Sequence, residues 1–387
     1  MDGIAKYVHS ILILIICCGT IHQVQAQTPV PLNDHSNFNV QMAFEDSGAI
    51  RQLIRETETW QQAYPDSAIK VYLTITDRSK EAGYVAGLRD ALQHLGALFA
   101  SKGMYETSLR FFSEMHEYCI SSLSMWSCLP VIYNTIATLH HTQGNYRLAA
   151  NFYYQSVIIN EELGLPPPVG GYNNLAAVLM TLGQYEEALH YLDIAEFYAL
   201  KLQRYTLLGS INNNKGQIWL TRHNWDTSAM YFRRALAIGK KHNLSQTTYA
   251  AITNMGTWHL WQNQYEKALE WYFTTTEDEE YIDPLYISNR DQNIGACYLE
   301  LKNYRLAERY FLRALAVAQN LNLRKREMEL HKQLGATYEA RHEYALSLSH
   351  HRLSMRFRDS IDNLQVIDNA QRLNIKFRTS EKDKKIA

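Results

Sequence analysis

A chain of 387 residues ordinarily divides into two or three globular domains. Its 38 Lys and Arg against 39 Asp and Glu give a formal net charge of −1, which leaves no broad basic field and disfavours binding to a nucleic-acid backbone. The five cysteines are only a weak sign of an exported protein.

At the N-terminus, Lys6 precedes an apolar run from Ile11 to Cys18, continued loosely to Ile21, and Val24-Gln25-Ala26 then offers small residues at the −3 and −1 positions of a cleavage site. This reads as a secretory signal peptide over 1–26, cleaved near Ala26, because the run is shorter than the ~20 residues of a membrane span. Lipid attachment at Cys17 or Cys18 is the alternative, but Ile16 stands where a lipobox has Gly, Ala or Ser. The expected destination is the periplasm. Residues 27–45 read as a flexible linker.

From there one pattern governs the chain. Tyr105, Tyr146, Tyr185, Trp225, Tyr265, Tyr304 and Tyr344 recur at intervals of 41, 39, 40, 40, 39 and 40 residues. Nine positions before each lies a small residue (Gly96, Ala137, Ala176, Gly216, Gly256, Gly295, Gly335), and three after it another (Ser108, Ala149, Ala188, Ser228, Ala268, Ala307, Ser347). Self-similarity at a fixed period is the mark of a repeat architecture. Small residues at two fixed points let two helices approach closely where they cross, and the aromatic plugs the turn between them. Each unit is therefore an antiparallel helical hairpin. One hairpin cannot bury its apolar face alone, so hairpins stack around a continuous core.

Gly295 to Tyr298 reads G-A-C-Y, Tyr304 to Ala307 reads Y-R-L-A, and Phe311 and Ala314 follow. This resembles the tetratricopeptide repeat (TPR) in seven copies over 86–359, although a period near 40 instead of the usual ~34 implies longer helices or loops. Residues 46–85, with Tyr64, Ser67 and Tyr72 but no glycine at the crossing, read as a degenerate capping repeat. The expected fold is all-α: a right-handed TPR solenoid of about eight antiparallel helix pairs plus a C-terminal helix.

In this repeat the first helix of each pair lines the concave surface. Two positions before the crossing residue the chain carries His94, Thr135, Asn174, Asn214, Asn254, Asn293 and Gln333, and the preceding position adds Asn134, Asn173, Asn213, Thr253 and Gln292. An asparagine amide can pair with the N–H and C=O of one extended backbone, reading main chain without reading sequence. Asn134, Asn173, Asn174, Asn213, Asn214, Asn254, Asn293 and Gln333 are the candidate peptide-binding residues, with His141, Met180, Leu220, Leu260, Trp261 and Leu299 as candidate pocket walls. The resemblance implies the same, since peptide receptors and motor adaptors of the 40-residue class use such asparagines. The other reading is a ladder that only ties neighbouring helices together.

Cys119 falls late on a second helix and Cys128 opens the next repeat, so the turn between them can bring the two together as a disulfide; the alternative is two separate buried thiols. Cys297 beside a crossing glycine reads as a small core residue. Fifteen histidines include no H-E-x-x-H pair, and His140 and His259 stand where other repeats have Phe99, Trp219, Tyr298 and Tyr338. His350 and His351 are adjacent and point to different faces of a helix. Glu277 to Glu280 with Asp283, and Arg324 to Arg326, read as solvated connections; the acidic run lacks the alternating ligands and glycine of a calcium loop. Nucleophile-elbow, phosphate-loop and metal motifs do not occur, so neither catalysis nor a cofactor or metal is expected.

Residues 360–387 read as a charged C-terminal helix or coiled-coil stub, with Leu364, Ile367, Leu373 and Phe377 on a Lys-rich stretch. The segment from Arg358 resembles the end of the periplasmic TPR region of Gram-negative envelope sensors, which implies a signalling input module. The expected partner is a protein or peptide, with no nucleic acid, and with a membrane only through a partner or a lipid anchor. Two alternatives remain: an envelope assembly or docking factor that uses the convex face or C-terminal helix, and a hydrolase without a recognisable signature.

Overall fold

The computed structural model describes residues 47–121, 123–274 and 282–359. The signal-peptide segment 1–26, the linker 27–45, the acidic residues Glu277 to Glu280 and the segment 360–387 lie outside the described residues. The described chain is helical, with no strand, and falls into two compact units that divide after Cys128.

The first unit holds α1 (Ser47–Trp60), α2 (Pro65–Glu81), α3 (Val85–Ser101) and α4 (Tyr105–Ser121), then a short 3-10 segment, Leu123–Cys128. Its core joins Ile50, Ile54, Tyr72, Ile75 and Leu95 across the two helix pairs. Cys119 and Cys128 are bridged by a disulfide with a Cα–Cα distance of 6.5 Å, which ties the end of α4 to the 3-10 segment.

The second unit holds six further pairs: α5 (Leu129–Thr142) and α6 (Tyr146–Glu162), α7 (Val169–Thr181) and α8 (Tyr185–Lys201), α9 (Tyr205–Thr221) and α10 (Trp225–Lys241), α11 (Ser245–Leu260) and α12 (Tyr265–Phe273), α13 (Pro284–Glu300) and α14 (Tyr304–Asn320). The sixth is α15 (Arg324–Ala340) with α16, residues 344–359. The first helices also pack on one another, α5 on α7, α7 on α9, α9 on α11, α11 on α13 and α13 on α15, and so make one continuous inner layer.

The long period comes from the helices and not from the loops. The helices α8, α9 and α10 are each 17 residues long. They begin at Tyr185, Tyr205 and Trp225, so three-residue turns separate them. The middle residue of each turn is left-handed, with φ of 53° at Gln203, 56° at His223 and 53° at Asn243, a conformation that Gly103, Gly144 and Gly183 adopt in other turns. The next N–H then reaches back to close the helix end, as Arg204 N–H does to Ala199 O at 2.8 Å and Leu244 N–H to Gly239 O at 2.8 Å. A turn this tight fixes the second helix antiparallel to the first.

Each repeated aromatic from Tyr105 to Tyr304 is the first residue of a second helix, half-buried over the turn. The crossing residue has a more specific task than close backbone approach. A Cβ on Gly216 would lie 2.4 Å from the ring of Phe232, and one on Gly256 would lie 2.5 Å from Tyr272. Sixteen residues after the glycine, an aromatic ring from the second helix therefore rests on bare backbone. Phe232 and Tyr272 are fully buried. The small residue at the other fixed point locks the crossing, since Ser228 Oγ donates to Gly216 O at 2.9 Å and Ser108 Oγ to Gly96 O at 2.6 Å.

Replacing Gly216 with Val should destabilise the fold by about 1–3 kcal/mol through overpacking, and Ser228→Ala by about 1 kcal/mol through the lost hydrogen bond. Urea unfolding checks both, and an unchanged midpoint for Gly216→Val would show that the ring does not set the crossing.

Candidate functional site

The inner layer of the second unit encloses a groove of about 420 Å³ between α9, α11 and α13. Its wall repeats along each helix at helical spacing: Thr206, Ser210, Asn213, Asn214 and Gln217 on α9 are matched by Gln246, Ala250, Thr253, Asn254 and Thr257 on α11. Tyr286, Asn289, Gln292 and Asn293 complete it from α13. None of the lining side chains carries a charge, and nearly all are carboxamides or hydroxyls. Such a wall offers donors and acceptors together, which suits a neutral chain of amides better than an ion.

The asparagines are linked from one repeat to the next. Asn174 Nδ2 donates to Asn134 Oδ1 at 3.3 Å, Asn214 Nδ2 to Asn173 Oδ1 at 2.9 Å and Asn254 Nδ2 to Asn213 Oδ1 at 3.0 Å. The ladder thus runs diagonally, from the second position of one repeat to the first position of the repeat before. Asn293 departs from the rule and donates to Thr257 Oγ1 at 3.1 Å. Thr257 is also 3.1 Å from the buried Tyr272 hydroxyl, so a groove asparagine is wired to the core ring that sets the helix crossing. Gln292 Nε2 continues the row to Gln333 Oε1 at 3.1 Å.

These bonds do not exhaust the amides. Each primary amide has two N–H donors and an oxygen with two lone pairs. Asn214 commits one N–H to the ladder and remains half-buried on the groove wall. Asn173 and Asn213 are more deeply placed, at 8% and 6% exposure, and serve as ladder acceptors. Tying helices together and facing a ligand are therefore compatible in one residue, because they use different atoms.

Of the residues read from the sequence, Asn213, Asn214, Asn254 and Asn293 line the cavity together. Asn134, Asn173, Asn174 and Gln333 belong to the same hydrogen-bonded row outside that lining. Trp261 is 46% exposed at the end of α11, with its ring 6.2 Å from His223, and is not part of the lining. Leu220, expected as a pocket wall, is buried with Phe232 and Met255 instead, since it lies on the α9 face turned toward the second helix. The wall residues that sequence reasoning missed were reachable: steps of four and eight back from Asn214 give Ser210 and Thr206, and three forward gives Gln217.

A second feature absent from the sequence reading is Lys215, between Asn214 and the crossing glycine. It is 2% exposed. Its ammonium donates to Asp193 at 2.6 Å and also to Glu196, both on α8. Desolvation pulls its pKa down, but the two carboxylates outweigh this and hold it above the ordinary lysine value. The ion triad pins α9 to the preceding pair and keeps the groove face of α9 oriented.

No cluster of three or more His, Cys, Asp or Glu that could hold a metal occurs among the described residues. His140 is buried against Phe152, ring to ring at 5.6 Å. Burial pulls His116 and His140 down to about 4. The Cys297 thiol is buried and pushed up to about 12, which makes it a poor nucleophile.

A helical-repeat scaffold with an uncharged polar groove is the class that fold and site define. Residues 171–193 and 292–321 match tetratricopeptide-repeat family models. Solved structures agree on the fold. The Rap conjugation gene regulator of the plasmid pLS20, in complex with the Phr* peptide, superposes with a TM-score of 0.60 at 13% identity over 82% of this chain and 96% of its own. A tetratricopeptide repeat protein from Parabacteroides merdae gives 0.52 at 15% identity over 71% and 98%. Aspartyl phosphate phosphatase F from Bacillus subtilis gives 0.55 at 13% identity over 81% and 94%. No curated protein matches the chain in sequence. The matched segments carry tetratricopeptide repeats, and the solved structures share the helical-repeat fold.

The buried histidines give a pH dependence of defined sign. Their folded pKa lies below the unfolded value of ~6.5, so the unfolded chain takes up protons first and stability falls as pH drops from ~6.5 toward 4. Replacing His140 with Phe should shrink the stability difference between pH 7 and pH 5 by about 2 kcal/mol. Urea midpoints at the two pH values measure it, and an unchanged difference would contradict a buried neutral imidazole.

Proposed function

We propose that the protein is a non-catalytic scaffold that binds an extended peptide or protein segment in the groove of its second unit, and works as an input module for envelope signalling. The observation that carries the reading is the uncharged wall of carboxamides and hydroxyls, in which Asn214, Asn254 and Asn293 repeat at one height on three successive inner helices. Inner helices stand ~8–10 Å apart, so an extended chain advancing ~3.3 Å per residue meets a new rung about every third residue. Each rung contributes only ~1 kcal/mol net. Selectivity must then come from side chains seated between rungs. The peptide seen with the structurally similar Rap regulator supports the reading by analogy of fold.

The proposed location is the periplasm. The bridge between Cys119 and Cys128 supports it, because disulfides persist in oxidising compartments. Among the described residues no helix is long and apolar enough to cross a membrane. Docking through the outer surface is the second reading, favoured by Phe197 and Leu200 on α8, which are 61% and 57% exposed.

Two substitutions separate binding from ladder. Asn214→Ala with Asn254→Ala should lose groove-dependent partners captured from a periplasmic extract, at a cost of about 2 kcal/mol in stability for two broken rungs. Asn134→Ala removes the rung to Asn174, neither partner of which lines the cavity, and should lower stability by about 1 kcal/mol while keeping those partners. Partners retained by the double variant would move the working surface to α8 and its neighbours.

A further inference from the structure

The last described helix pair, α15 with α16, is held together differently from the others. Along α16 only Ser347 is buried, and the apolar core of α14 and α15, with Phe311, Leu330, Leu334 and Tyr338, draws no residue from α16. Leu346, Leu348 and Met355 are exposed instead. Imidazoles take the place of that missing apolar contact. A Cβ on Gly335 would lie 2.9 Å from the ring of His351, so a histidine stands where Phe232, Tyr272 and Phe311 rest on bare backbone in earlier pairs. Beside it, His350 Nδ1 lies 2.9 Å from His331 Nδ1 on α15. His331 is buried and stacks on Phe357 with ring centroids 5.9 Å apart, and the His350 ring is 5.2 Å from that of Tyr338.

Two ring nitrogens at 2.9 Å share one proton, which requires one ring to keep its lone pair. With both rings neutral the contact is satisfied. A proton added to one ring leaves an imidazolium donating to an imidazole; a proton on each removes the acceptor and sets two like charges side by side. Burial, and then the facing ring of His350, lowers the pKa of His331. His350 is lowered by burial as well, with Glu308 on α14 opposing and His351 reinforcing the shift. Glu308 is already engaged, since it accepts from the Tyr338 hydroxyl at 2.7 Å and from Arg341, which also pairs with Glu343 at 2.6 Å. Glu339 stands 3.9 Å from His351, and Lys332 and Arg352 are exposed. Both folded values therefore lie below the ~6.5 of a free histidine, so the undocked helix takes up protons first and docking weakens as pH falls below ~6.5.

We propose that α16 is an acid-released latch: it stays docked on α15 through the proton shared by His331 and His350, and it leaves when both rings are charged, uncovering His331 and Tyr338. Proton uptake is the whole of the trigger. The release is local, because the core of α14 and α15 contains no side chain of α16 and stays closed without it. The adjacent histidines divide the work, His350 carrying the shared proton and His351 filling the crossing over Gly335. A phenylalanine or tyrosine at the crossing, as in earlier pairs, would hold the helix at any pH.

The test is backbone amide hydrogen exchange on the full chain at pH 7 and pH 5, corrected for the intrinsic pH dependence of exchange. Protection of α16 should fall by about 10-fold or more relative to α10, since one excluded proton is worth tenfold per pH unit. His350→Asn offers an amide in place of the ring nitrogen but does not titrate, so it should keep α16 protected at pH 5. A fall in α16 no larger than that in α10 would overturn the latch, as would an equal fall in the wild type, His350→Asn and His331→Asn. If His350→Asn already frees α16 at pH 7, NMR titration of the wild-type imidazoles decides. His331 and His350 charging over the pH range in which α16 opens supports the latch; both rings charged while α16 stays protected overturns it.

Discussion

An aromatic ring resting on a helix backbone with no Cβ is the contact on which four of the helix pairs depend. Phe112 on Gly96, Phe232 on Gly216, Tyr272 on Gly256 and Phe311 on Gly295 repeat one arrangement. The ring fills the space a side chain would take, so the two helices cross at one height and one angle. Any other height would leave either a cavity under the ring or a clash with it. Because the three-residue turn fixes the same pair from its end, ring and turn together leave the hairpin little freedom. Repetition then places equivalent residues of successive first helices side by side.

That placement is what gives the asparagines their meaning. An isolated asparagine at mid-helix is a neutral or slightly unfavourable residue. At the same height on adjacent inner helices it becomes a donor to its neighbour, and the side chains hold each other toward the groove. The row costs little conformational entropy on binding, since its amides are already oriented by the ladder. Thr257 links this row to Tyr272, so the surface that would meet a ligand and the core that sets the crossing are parts of one hydrogen-bonded chain. Lys215 with Asp193 and Glu196 adds a buried electrostatic tie between consecutive pairs. Removing both carboxylates would strand the buried Lys215 ammonium.

The repeat was legible because its signals are local and periodic. An aromatic at the first position of a second helix, a small residue nine before and another three after can all be counted along the chain, and each proved to sit at an element boundary or a crossing. The groove asparagines were legible for the same reason. What lay beside them was harder to read. Thr206, Ser210 and Gln246 are ordinary helix-surface residues until the inner layer makes them neighbours, and Leu220 shows that a few positions' drift along a helix turns an expected groove wall into core.

The sequence by itself determined the hairpin, the period and the polar stripe, because each follows from residues a fixed number of positions apart on one or two helices. Only the tertiary structure decided which atoms of the asparagines are spent on neighbouring repeats, that the buried Lys215 ammonium meets two carboxylates of the preceding pair, and that Arg326 stands near Gln292 and Lys325 near Tyr146. The physical reason is range. Periodic patterns encode contacts within a repeat and with the next one, whereas the company a charge keeps depends on how several repeats turn about a common axis, and that accumulates from small rotations no single motif records.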